Sequence, residues 1–131
     1  MPETSSTRED AAVRLDEAEI LARLDGDCQL LAELCDMLLV ELPRMMNTLI
    51  EAIRIEDANA VHRAAHRLKG SLSVFGEGAH IEDCVSLEEM AMKQDLARAP
   101  EVLSSMQGHL EEFRVAVASL GKECHARADR R

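Results

Sequence analysis

Apolar residues recur at three- and four-residue steps along most of this chain, the period of helices that bury one face. Leu15, Ile20, Leu21 and Leu24 predict a short first helix from about Asp16 to Leu24, stopped by Gly26. Asp27 is placed to cap a long second helix, about Cys28 to Arg54, whose apolar stripe runs Leu30, Leu31, Leu34, Leu38, Leu42, Met45, Leu49 and Ile53. Pro43 falls inside that run, and a proline there removes a backbone donor and crowds the preceding turn, so a kink or short break is expected. Asp57 caps a third helix from Ala58 to about Phe75, which Gly76 and Gly78 break. A fourth helix spans about Ala79 to Gln94. Pro100 then suits the first turn of a fifth, where Leu103, Met106, Leu110, Phe113, Val117 and Leu120 form a heptad-like seam.

The pattern predicts an all-α fold: an antiparallel four-helix bundle with a short additional N-terminal helix. Short connections set sequence neighbours antiparallel. Residues 1–14 are polar and irregular and are expected to be a flexible leader, 15–121 the bundle domain, and 122–131 a frayed polar tail.

Composition narrows the picture. The 131 residues suit one core; there is no Trp or Tyr, only two Phe, and just six Gly and three Pro. A formal charge of −10 argues against nucleic acid as a partner. No apolar run approaches the roughly 20 residues needed to span a bilayer, so no membrane association is expected. With no secretory signal pattern at the start, a cytoplasmic location is expected. Cys28, Cys35, Cys84 and Cys124 form no CxxC pair and lie among apolar neighbours, which predicts buried free thiols. The seam of the fifth helix is expected to face the core, leaving a monomer.

The third helix carries the candidate chemistry. On a wheel of about 100° per residue, Val61, Ala65, Leu68, Leu72 and Phe75 fall within roughly 80°, and His66 points about 150° away from them. His66 is therefore predicted to be exposed, with Asn59, His62, Gly70 and Ser73 on its side. Gly70 lies one turn on, and an interior helix glycine costs about 1 kcal/mol relative to alanine, which is tolerable where another molecule must come close. No acidic residue occurs between Asp57 and Glu77, whereas Arg63, Arg67 and Lys69 do. A strongly acidic chain thus surrounds one histidine with a basic island, which suits a phosphoryl group or a partner with an acidic pocket.

His66-Arg67-Leu68-Lys69-Gly70-Ser71, continuing to Phe75-Gly76, closely resembles the signature of histidine-containing phosphotransfer (HPt) domains. Leu87-Glu88 matches the family's fourth-helix pattern, and the resemblance extends over about residues 15–120. Glu77 departs from it, standing where members often have alanine. The resemblance implies that His66 accepts and donates the phosphoryl group, that Lys69 balances phosphate charge, and that Gly70 lets a receiver domain dock closely. Ser71 matches the motif but sits at the edge of the core and reads as a packing or hydrogen-bonding residue. The implied partners are response-regulator receiver domains, with a hybrid sensor kinase as a further candidate. The implied cofactor is Mg²⁺ in the receiver, with none held by this chain. Asn59, His62, Arg63, Arg67, Gly70, Ser73 and Val74 are the expected receiver-binding surface.

A phosphoryl group would arrive from a receiver aspartate and pass to a second receiver. Transfer of this kind needs in-line positioning and charge neutralisation more than covalent assistance. No Gly-rich phosphate loop or Walker pattern is present, so autonomous ATP-dependent kinase activity is not expected. Three alternatives stand beside this reading. One is a receiver-binding helical module that transfers nothing. The second is the phosphotransfer domain of a chemotaxis kinase. The third is a metal-binding bundle using His62 and His66 with His80, Asp83 and Cys84 from the next helix.

Overall fold

The computed structural model describes residues 15–130 and contains five helices. They are α1 (Glu17–Arg23), α2 (Cys28–Arg54), α3 (Ala58–Ser73), α4 (Ala79–Met92) and α5 (Ala99–Asp129). Aspartates start the first three. Asp16, Asp27 and Asp57 accept hydrogen bonds from the backbone amides of Glu19, Leu30 and Ala60, satisfying donors that a helix N-terminus leaves free. After α3 the chain turns at Gly76, whose φ of +110° is open to glycine and strained for other residues.

Helices α2 to α5 close a ring, α2 against α3, α3 against α4, α4 against α5, and α5 back against α2. This is the expected four-helix bundle, with α1 as the short additional element. Leu31, Leu49, Leu68, Leu72, Leu87, Met106 and Phe113 are fully buried at its centre, and Phe75 meets Phe113 edge-on. All four cysteines are free and buried. Burial pushes the thiols of Cys84 and Cys124 up to about 12 and that of Cys35 to about 11, with nearby acidic or thiol groups adding to each, so they stay protonated and inert.

Two expectations give way. The helix does not break at Pro43: α2 runs through it, with Leu42 buried and Leu42, Pro43, Met46 and Ile50 lining a groove against Leu110 of α5. Nor does the chain fray after Gly121; α5 continues to Asp129. Gly121 is a packing point instead of a stop, since a Cβ there would lie 3.1 Å from Cβ of Cys35. Beyond it Cys124 is fully buried, His125 meets Asp36 at 2.9 Å, and Arg127 pairs with Glu17 of α1. The predicted leader, 1–14, lies outside the described residues.

One core residue is unusual. His80, in the first turn of α4, is fully buried with its ring 4.4 Å from that of Phe113, and neither ring nitrogen has a partner. Desolvation drives its pKa down to about 4, with Asp83 opposing and His109 assisting. An ordinary unfolded-state value of about 6.5 then means that the unfolded chain binds this proton first. Stability from neutral His80 is complete above pH ~6.5 and is lost as pH falls towards 4, about 3 kcal/mol in all. Urea unfolding between pH 7.5 and 4 should show that loss, and it should shrink in His80→Leu.

Candidate functional site

His66 stands in the middle of the exposed face of α3, with a side chain 67% accessible. The spacing that buries Val61, Ala65, Leu68 and Leu72 turns it outward. Its Nδ1 lies 2.7 Å from Oε2 of Glu88 on α4, and Nζ of Lys69 lies 2.6 Å from the other oxygen of the same carboxylate. Glu88 is 7% exposed. Burial alone would push its carboxyl up, but the hydrogen bonds and positive charge of Lys69 and His66 outweigh it and hold the pKa below the usual carboxylate range.

That charge state fixes the histidine's chemistry. An ionised carboxylate only accepts, so Nδ1 of His66 carries the proton and donates it. In the neutral ring Nε2 then keeps its lone pair, on the opposite, solvent-facing edge. A buried carboxylate thus sets the tautomer and orientation of an exposed nucleophile.

Glu88 was given no role by the sequence, although its position carried a signal. It shares a helix face with Cys84, Leu87 and Ala91, all buried, and a carboxylate on an apolar face must find a cation or a donor. What it pairs with depends on the packing of α3 on α4, which no pattern within either helix reveals.

The other predicted residues are distributed along the same face. His62, half-buried, stacks on His66 with ring planes 4° apart and centroids 6.0 Å apart. Lys69 is anchored on Glu88 but remains 30% accessible, and an ammonium has donors to spare for a second acceptor. Arg63 and Arg67 are exposed, and Arg67 lines a groove with Arg44 and Glu41 of α2. Asn59 lies farther away, beside Gln94 and Leu96 of the α4–α5 connection. Val74 is exposed at the other end of the helix. Ser73 is half-buried and its hydroxyl donates to the carbonyl of Lys69 at 2.7 Å, so its proton is already committed.

Nothing lies within 4 Å of where a Cβ on Gly70 would be. Packing within the chain therefore does not require glycine there, and the helix bears its conformational cost with a bare, exposed backbone one turn from His66. Gly70→Arg should fold with equal or greater stability in thermal melts, since an exposed interior glycine is about 1 kcal/mol worse than a good helix former. The same side chain would stand in the way of any molecule that docks on this face beside His66.

The structure does not bring together the side chains named for the metal-binding alternative. His80 is buried against Phe113, Asp83 holds His109 at 2.6 Å, and Cys84 is enclosed in the core. Among the described residues no three His, Cys, Asp or Glu side chains are grouped to hold a metal ion. No described helix is long and apolar enough to cross a membrane.

Comparison with known proteins points to one family. A family model for the Hpt domain matches residues 33–117, a span that includes His66, Lys69, Gly70 and Glu88. The chain is similar to the crystal structure of histidine-containing phosphotransfer protein B (HptB) from Pseudomonas aeruginosa PAO1. The TM-score is 0.69 at 27% identity, over 86% of this chain and 95% of that one. The comparison with curated proteins gives no match.

Proposed function

Because the chain belongs to the Hpt domain family, we propose that it is a phosphorelay carrier that takes a phosphoryl group from a receiver-domain aspartate onto Nε2 of His66 and passes it to a second receiver. The observation that carries this reading is the Glu88 carboxylate, which occupies Nδ1 and leaves Nε2 as the free, exposed nucleophile.

In the forward step the Nε2 lone pair attacks phosphorus in line as the bond to the aspartate oxygen breaks, and the aspartate leaves with the electron pair. The imidazole gains positive charge, which Glu88 offsets directly across the Nδ1–H bond. Lys69 keeps its contact with Glu88 and offers a remaining N–H to a phosphoryl oxygen. Mg²⁺ belongs to the receiver, and this chain contributes a fixed nucleophile and a docking face. Arg63 and Arg67, which have no carboxylate partner among the described residues, suit the acidic rim of such a partner. Transfer to the second receiver is the same step reversed. The protein works as a monomer in the cytoplasm, on receivers that are free-standing or fused to a hybrid kinase.

The test is transfer from a ³²P-labelled receiver. Label that is acid-labile and base-stable on this chain supports the relay role. No label, from several receivers that are themselves phosphorylated, would favour a module that binds receivers without transfer.

A further inference from the structure

A helix with its side chains is about 10–12 Å wide. Even a weak signalling interface covers about 600 Å² on each partner, a patch roughly 28 Å across. A receiver centred on His66 therefore cannot rest on α3 alone, although every residue that the sequence assigns to its binding lies on that helix. It reaches onto a neighbour, α2 or α4, and these two flanks differ in charge.

Apolar character does not separate them. Met37 of α2 is exposed, and so are Val85 and Met92 of α4, three residues before and four after Glu88. On the α2 flank, Arg44 and Thr48 line a groove with Ala64 and Arg67 of α3, and Glu41 is the one acid that lines it. Arg67 is the residue next to His66, and the bare backbone of Gly70 follows one turn on. Glu41 lies 3.8 Å from Arg44 in a loose pair whose side chains are 49% and 76% accessible. Such a pair is weak, and the guanidinium keeps donors for a second carboxylate. On the α4 flank the balance is reversed, with Glu82 and Glu89 exposed against Lys93. Glu88 is committed to His66 and Lys69. At physiological salt these charges act over only about 8 Å, so they act on the partner atoms that touch their own flank. An acidic rim is attracted by the α2 flank and repelled by the α4 flank.

We infer that the receiver sits across α2 and α3, with the acidic rim of its phosphorylation pocket against Arg44 and Arg67. The inference rests on the phosphocarrier reading above. It gives α2 a part that the motif on α3 does not show. α2 selects the partner, while α3 and α4 hold the nucleophile. Arg44 belongs to a different helix from His66, Lys69 and Glu88, so docking can be altered without touching the chemistry.

The test is a pair of charge reversals of equal size, Arg44→Glu on α2 and Lys93→Glu at the C-terminal end of α4. Each makes the chain more negative by the same amount, so an effect of overall charge is common to both. Transfer is followed from a phosphorylated receiver at varied concentration and from phosphoramidate, which needs no docking surface. At an exposed site the attraction removed and the repulsion added are each a factor of about two to five. Arg44→Glu should therefore raise KM for the receiver roughly 4- to 25-fold at unchanged kcat, and the rise should shrink as salt is added. Arg44→Gln, which loses the charge alone, should fall between it and wild type. Lys93→Glu should keep the wild-type KM, and all three variants should match wild type with phosphoramidate. A wild-type KM for Arg44→Glu, or an equal rise for Lys93→Glu, would overturn the inference. Slower transfer from phosphoramidate to Arg44→Glu would also overturn it, by placing the effect in the fold or in the chemistry of His66. In each of those outcomes His66 would still be the carrier. A wild-type chain that takes phosphoryl from no receiver would instead overturn the functional reading, and this inference with it.

Discussion

His66→Gln should accept no phosphoryl group from any receiver while folding as the wild type does. Glutamine matches the reach of histidine and can still donate an amide N–H to Glu88, so the α3–α4 contact survives. Its amide nitrogen, however, has no lone pair available to attack phosphorus. The side chain is 67% accessible, and surface substitutions of this kind change stability by only about ±0.5 kcal/mol. A melting curve superimposable on the wild type, beside complete loss of acid-labile label, would place the chemistry on this residue. Residual label at an appreciable rate would move it elsewhere, with His62 as the next group to test.

Glu88→Ala should have the second-largest effect, a fall of about 10- to 100-fold in transfer rate, the range seen when a group that orients a functional histidine is removed. Three things are lost together. His66 becomes free to protonate either ring nitrogen, so part of the population presents Nδ1–H and the rest Nε2–H. The positive charge that builds on the imidazole loses its counter-charge. Lys69 loses its anchor and, being partly accessible already, turns into water. Glu88→Gln separates these effects. Its amide oxygen can accept from Nδ1–H and keep the tautomer, but carries no charge, so its rate should fall between wild type and Glu88→Ala. The measurement is the saturating rate of transfer from one receiver to all three proteins. Equal rates for Glu88→Ala and wild type would mean that the carboxylate serves packing alone.

The difference between what the sequence disclosed and what it hid follows the range of the interactions. Helix starts were legible because Asp16, Asp27 and Asp57 act on amides three residues away. The exposure of His66 was legible because a helical wheel needs only its own helix. The end of α5 was not. Gly121 is a stop by propensity, and only the approach of Cys35 from α2 turns it into a packing contact. The polar run after it is held by burial of Cys124 and by Asp36 and Glu17, from elements about a hundred residues earlier. Pro43 likewise did not break α2, whose Leu38 and Leu42 before it and Leu49 after it are buried in the core packed against the other helices.

The candidate site divides in the same way. The motif from His66 to Ser71 and the basic island lie on one helix and could be read from it. The carboxylate that gives His66 its tautomer comes from α4, where local pattern shows only a charge on an apolar face. His62 and His66 were recognisable as neighbours, but as metal ligands or a docking surface. The parallel arrangement of the two rings required the packed side chains themselves.

Which ring nitrogen of His66 carries phosphorus is the most direct test. Phosphorylated protein with ¹⁵N-labelled histidine can be read by NMR through ³¹P–¹⁵N coupling. With Nδ1–H bound to Glu88, the geometry predicts phosphorus on Nε2 and a proton retained on Nδ1. Phosphorus on Nδ1 would contradict it, because that nitrogen could be reached only by breaking the contact with Glu88 from which the role of His66 has been derived.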